Sequence, residues 1–367
     1  MKKVLSLTLT LALSASFLEG CGGSSAGGSE SGSADKQEAG SNGVVKVFNW
    51  GEYIDEDVID LFEEETGIEV IYDMFDTNEE MYPIIEAGGV AYDAICPSDY
   101  MIEKMISNGL LQEINFDNIP NMKYLSSTIM EGSKAFDPEN KYSVPYTYGT
   151  LGIVYNTTMV DDPVDSWNIL WNEKYAKDIL MYNSVRDAFV APLRLLDADI
   201  NCTDDATLRQ AADMLIAEKP LVQSYVMDQI KDLMISGSAA MAMCYSGEIL
   251  AMQEENEDLA YAVPKEGSNF FIDSWVIPAN AENKENAEAW INFLNRPDIA
   301  LKNFEYITYS TPNTGAQELI DEELKSNPAV FPDEEILSKC NIFHTLGTEG
   351  DAKLNDLWLE IKGAAVN

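Results

Sequence analysis

The chain has 367 residues, with 63 Asp and Glu against 23 Lys and Arg and a formal net charge of −40 at pH 7. So acidic a balance argues against nucleic acid and anionic lipid as partners and permits a cationic ligand. Hydrophobic residues make up 46% of the chain, and the length suits two domains rather than one.

Lys2 and Lys3 precede an apolar run over 4–18 that is too short for a stable membrane span, so residues 1–20 read as an export signal. Leu18-Glu19-Gly20-Cys21 resembles a bacterial lipobox, in which the cysteine becomes the lipidated N-terminus, although Glu19 stands where a small residue is usual. A plain signal peptide is the alternative. Residues 21–43 are rich in Gly, Ser and Ala without apolar periodicity, the composition of a flexible tether behind an anchored Cys21. The expected location is the extracytoplasmic face of the cell membrane, or the periplasm. Cys96, Cys202, Cys244 and Cys340 show no C-x-x-C spacing and so no zinc or redox motif. Export would allow some of them to pair, and burial as thiols is equally open.

From Val44 the pattern alternates. Residues 44–48 form a strand, and 55–66 a helix with Val58, Leu61 and Phe62 at helical spacing, Asp55 as N-cap and Gly67 past its end. A second strand spans 68–72. Asn78 is placed to cap a helix bearing Met81, Ile84 and Ile85, stopped by Gly88 and Gly89. A third strand, 92–96, leads to a helix over 99–108 with Ile102, Met105 and Ile106 inward, ended by Gly109. Such alternation predicts a mostly parallel sheet covered by helices. Residues 142–155 are rich in Tyr and Pro, 207–217 are helical, 239–245 suit a buried strand, and a helix after Lys284 carries Ala287, Trp290, Ile291 and Leu294 on one face. In doubly wound sheets ligands sit beyond the carboxyl ends of strands, which directs attention to Asn49-Trp50-Gly51-Glu52-Tyr53 and to Pro97-Ser98-Asp99-Tyr100.

These loops carry a family resemblance. The Asn-Trp-x-Glu-Tyr of 49–53 resembles the opening motif of the bacterial spermidine/putrescine-binding proteins of polyamine ABC transporters. The likeness continues in order through Glu-Thr-Gly-Ile (65–68), Asn-Glu-x-Met-Tyr (78–82), Tyr-Asp-x-x-x-Pro-Ser-x-Tyr (92–100), Ser-Val-Pro-Tyr (143–146) and Val-Pro-Lys-Glu-Gly (263–267). Asp273-Ser274, Ile-Pro-Ala-Asn-Ala (277–281) and Tyr-Ser-Thr-Pro-Asn (309–313) complete it. Any one piece is weak; the ordered set is strong.

The resemblance implies an α/β fold of the two-lobe periplasmic binding protein-like type II class, with a ligand cleft between lobes drawn as 44–149 plus 275–311 and 150–274 plus 312–367. It also implies a polyamine ligand, membrane permease subunits of an ABC importer as partners, and a monomer with no cofactor, no metal and no nucleic acid. At positions matching the family motifs, Trp50, Glu52, Tyr53, Ser98, Tyr100, Asp187, Tyr245, Phe271, Asp273 and Tyr309 are the expected ligand-binding residues. The chemistry agrees, since ammonium groups need carboxylates while methylenes and cations both suit aromatic faces. Ser184 departs from a family aspartate three residues before Asp187, and Phe343 from a glutamine. Asp99 or Glu248 would be the neighbouring sources of replacement charge.

Other readings are an enzyme, a binder of sugars or amino acids on the same fold, and an adhesin or sensor. Carboxylates beside aromatics also describe glycoside hydrolases. However, the chain has no G-x-S-x-G, H-E-x-x-H or phosphate-cradling motif, and His344 is its only histidine. The expectation is therefore a binding protein and not an enzyme.

Overall fold

The computed structural model describes residues 42–365. The expected signal peptide, Cys21 and nearly all of the tether lie outside the described residues. Among the described residues nine strands form one sheet: β1 (Val44–Trp50), β2 (Glu69–Phe75), β3 (Ala94–Ile95), β4 (Ser143–Asn156), β5 (Ile179–Tyr182), β6 (Val222–Val226), β7 (Met241–Tyr245), β8 (Leu259–Ala262) and β9 (Phe270–Val276). Their order is β2-β1-β3-β9-β4-β7-β5-β6, with β8 also on β4.

The expectation of a mostly parallel sheet holds only at the two ends. β1 pairs in parallel with β2 and β3, and β5 with β6 and β7, whereas β4 and β9 make the centre antiparallel. The cause is the 14-residue β4, buried along nearly its whole length, as strands covered on both faces are. It pairs with β9 through Thr150 and with β7 from Leu151 onward. Two large cores flank this change of partner. One contains Leu151, Phe189, Met241, Phe343 and Ile361. On the other side Val47, Phe62, Trp275 and Trp290 pack together, with Phe48, Met105 and Ile272 beside them. These are the two lobes.

Local signals set the helix starts. Asp55 caps Glu56–Thr66 by accepting from the Asp57 N–H, and Gly67 closes it in the left-handed region at φ 69°. The cap of the next helix, Asn78–Ala87, is Thr77 rather than the expected Asn78, because the Thr77 side chain accepts from the Glu80 N–H. Asn78 is thereby released for other contacts. Ile84, expected inward, is exposed, while Met81 and Ile85 are buried. Among the described residues Cys96, Cys202, Cys244 and Cys340 are free thiols, and no described helix is long and apolar enough to cross a membrane.

Candidate functional site

The carboxyl ends of β1, β2 and β3 face those of β5, β6 and β7 across a cavity of about 460 Å³, the size of a small-molecule site. Trp50, Glu52, Tyr53, Ser98, Tyr100, Asp187, Tyr245, Phe271, Asp273 and Tyr309 all line it. Ser184 and Phe343, the two departures, line it as well.

One wall is a chain of rings meeting edge to face. Tyr245 meets Phe271 at 5.2 Å between centroids, Phe271 meets Tyr309 at 6.1 Å, and Tyr309 meets Tyr53 at 5.2 Å. Two glycines permit this approach. A Cβ on Gly247 would lie 2.2 Å from the Tyr309 ring, and one on Gly149 would lie 2.8 Å from Phe271. Trp50 is fixed at the end of β1 by its indole N–H, which donates to the Cys96 carbonyl at 2.8 Å.

Asp273 stands on β9 opposite Thr147, where the register of β4 shifts. It is 5% exposed. The Tyr53 hydroxyl, 2.5 Å from Thr147 Oγ1, donates to Asp273 Oδ2 at 2.8 Å. Asp273 Oδ1 is buried with no hydrogen-bond partner. Burial raises the Asp273 pKa to about 6, against the pull of the Tyr53 and Ser98 hydroxyls toward the charged form. Ser98 occupies the N-cap position of helix Asp99–Ser107 without capping it through its side chain, and its hydroxyl acts on Asp273 from nearby without a hydrogen bond to Oδ1. Burial and the Asp273 charge raise the Tyr53 pKa, so its hydroxyl stays a donor.

Asp187, from the second lobe, is also buried. The Tyr245 hydroxyl donates to its Oδ1 at 2.7 Å. Burial raises its pKa, while Ser184, Tyr245 and the charge of Arg186 oppose the rise. The other inner acids are committed. Asp99 accepts the Tyr100 N–H at 2.7 Å and the Ile272 N–H at 3.4 Å, and burial pushes its pKa well up. Glu248 takes the Tyr309 hydroxyl on Oε1 at 2.6 Å and the Lys231 ammonium on Oε2 at 2.9 Å. The same ammonium lies 3.3 Å from Glu52, an exposed residue in a left-handed turn at φ 52°. Burial opposes the charge on Lys231, but Glu248 and Glu52 outweigh it and raise its pKa. Neither Asp99 nor Glu248 is thus free to replace the carboxylate absent at Ser184.

Tyr100 sits at the rim, donating to Glu79 Oε1 at 2.8 Å and accepting from Asn78 Nδ2 at 3.1 Å. The released Asn78 also accepts the Ser98 N–H at 3.3 Å, tying two loops of the first lobe together. Phe343 is buried under Arg186, whose guanidinium lies 4.3 Å above its ring and 5.4 Å from that of Tyr100. Arg186 donates to the His344 carbonyl and to Asn201 Oδ1. Burial lowers its pKa, yet a guanidinium stays charged. Arg186, Lys231 and Tyr182 line the cavity without having been singled out in the sequence. The strand-end rule would have found all three had 179–182 and 222–226 been recognised as strands.

Residues 57–332 match the family described as bacterial extracellular solute-binding protein. The spermidine/putrescine-binding periplasmic protein of Salmonella typhimurium is 35% identical over 303 residues, covering 82% of this chain and 86% of the relative. The putrescine-binding periplasmic protein SpuD of Pseudomonas aeruginosa is 30% identical over 346 residues, covering 90% and 94%. Among solved structures, the spermidine/putrescine ABC transporter substrate-binding protein PotD of Streptococcus pneumoniae, in complex with calcium and HEPES, superposes with a TM-score of 0.77. The two are 39% identical, and the match covers 87% of this chain and 98% of that one.

Proposed function

We propose that this chain, which belongs to the bacterial extracellular solute-binding protein family, captures a short polyamine such as putrescine or spermidine and hands it to an ABC importer. The observation that carries the reading is the Asp273 carboxylate, buried in the cavity wall with Oδ1 unpartnered. A buried carboxylate lacking a counter-charge is costly, and an ammonium placed against Oδ1 would remove that cost with a charge-assisted hydrogen bond. The ring wall suits the methylene segment between ammonium groups. The names of the relatives favour the same ligand class.

The ligand enters between the open lobes. Asp273, supported by Tyr53 and Ser98, takes one ammonium, and Asp187, held by Tyr245, takes another. Trp50, Phe271, Tyr245 and Tyr309 cover the chain, and Tyr100 closes the rim. Glu52, whose Oε2 pairs with Lys231, meets the ligand in competition with that ammonium. Contacts made from both lobes at once favour the closed form, the requirement for a ligand to shift that equilibrium. No bond is made or broken, so the protein acts as a carrier and not as an enzyme.

The lobes we propose are 44–149 with 275–311, and 150–274 with 312–367. The change of β4 partner after Thr150 supports the first boundary, whereas the pairing of β9 with the part of β4 before it, and the packing of Ile272 beside Phe48, favour counting Phe270–Ser274 with the first lobe. Anchoring through lipid on Cys21, action as a monomer and docking on permease subunits complete the proposal. Calorimetric titration of the protein from residue 42 onward with putrescine, cadaverine, spermidine, maltose and glycine tests it. Saturable binding of a polyamine at micromolar concentration or below, with none of the neutral or zwitterionic solutes, is expected. Binding of a sugar or amino acid with no polyamine binding would overturn the proposal.

A further inference from the structure

Resting on the polyamine reading, the committed acids of the cleft make a further distinction. Lys231 comes from the short helix Ile230–Ile235 after β6, and its ammonium projects to Glu248 at 2.9 Å and Glu52 at 3.3 Å. Glu248 belongs to the second lobe and Glu52 to the first, so one tethered cation joins the two across the cavity mouth. The remaining oxygen of Glu248 is held by Tyr309. Asp76, Glu79 and Asp228 also line the cavity but are exposed, where water and salt screen their pull on a cation. Among the described acids lining the cleft, Asp273 and Asp187 are then the buried ones that neither Lys231 nor a pair of backbone N–H groups occupies.

We infer that Lys231 is a specificity-determining residue: its ammonium fills the Glu52–Glu248 end of the cleft as a built-in cation and restricts the site to diamines in preference to triamines. A triamine must place a third charge, and the two acids that would receive it, Glu52 and Glu248, already share the Lys231 ammonium. To bind, it either displaces Lys231, which leaves that ammonium partly buried and unpaired, or leaves its own third ammonium without a counter-charge. Both are unfavourable. A diamine meets neither difficulty.

The test compares putrescine and spermidine by calorimetric titration of wild-type protein and Lys231→Met at pH 7.5. The wild type is expected to prefer putrescine. Lys231→Met is expected to shift the spermidine-to-putrescine affinity ratio toward spermidine by about tenfold, the effect of one charge-assisted contact. Adding Glu248→Gln to Lys231→Met should cancel the gain, and Lys231→Arg should keep the wild-type ratio. Lys231→Gln, shorter and polar, serves where the methionine variant does not fold, with the same shift expected. A wild-type preference for spermidine, or an unchanged ratio in a folded neutral variant, overturns the inference while leaving the polyamine reading intact. A wild type that binds no polyamine overturns both.

Discussion

The two acidic ends of the cleft are built from the same groups and finished differently. At one end Asp273 is buried on β9, has a tyrosine hydroxyl on one oxygen, and leaves the other without a partner. At the other, Glu248 has a tyrosine hydroxyl on one oxygen and the chain's own lysine on the other. The contrast separates a carboxylate satisfied within the fold from one whose second oxygen the fold leaves unpaired. Raising a buried carboxyl from its ordinary pKa to about 6 costs roughly 3 kcal/mol at neutral pH. Such a cost persists where function requires it, because stability only has to stay above a threshold. The Lys231 end carries no comparable unpartnered group.

Replacing the unsatisfied acid should break the contrast most sharply. Asp273→Asn is expected to weaken polyamine binding by at least about tenfold, or 1.4 kcal/mol, and to raise the ligand-free melting temperature at pH 7.5 by removing a buried charge. Calorimetry and thermal melts read the two effects. Unchanged affinity in the folded variant would mean that Asp273 does not face the ligand.

A change of pH acts on the same group without mutation. The folded Asp273 pKa lies above the unfolded value, so the folded form holds the proton more tightly. The cost of ionising Asp273 thus grows as pH rises from about 4 to about 6 and is complete above that. Binding of a cation has the opposite sign, since only the ionised form attracts it. One unit below the pKa roughly one-tenth of Asp273 is ionised, so affinity at pH 5 should fall about tenfold from its value at pH 7.5. The rise in the Asp187 pKa acts in the same direction. A flat affinity profile between pH 7.5 and 5 would contradict this.

Tyr53→Phe removes the donor from Asp273 Oδ2 and leaves the ring in place. The lost bond contributes about 1.5 kcal/mol to the charged form, so titration should show several-fold weaker binding and a pH midpoint above that of the wild type. An unmoved midpoint would show that Tyr53 acts only as a wall. The smallest effect is expected at the Lys231 end. Glu52 is 75% exposed, and exposed pairs contribute about 0–1 kcal/mol, so Glu52→Gln should leave the melting temperature within a few degrees of wild type. A large loss of stability would make the pair a structural strut.

Much of the first lobe was legible because each strand is followed by a complete helix signal. Asp55 and Gly67 mark their helix by side-chain chemistry and backbone conformation that need no tertiary partner. Asn78 misled because Thr77, equally able to cap, precedes it, and the choice depends on Tyr100 and Ser98 waiting in space. β5 is only four apolar residues and β6 has one fully buried position, too little pattern to separate from loop. The antiparallel centre was hidden for another reason, since β4 pairs with a strand more than 100 residues away. The acids and rings named through ordered motifs line the cavity. Lys231 was not named, because a lysine on a short helix reads as surface until its carboxylates are placed beside it.

The most direct test of the central claim, that a ligand ammonium sits on Asp273, is the proton count on binding. Titrating putrescine into the protein at pH 6 in buffers of different ionisation enthalpy measures it. An ammonium docking on a carboxyl that is half protonated should release about half a proton per ligand, with additional release from Asp187, and the Asp273 share should vanish in Asp273→Asn. Binding with no proton release, or with the same release in the variant, would contradict the account.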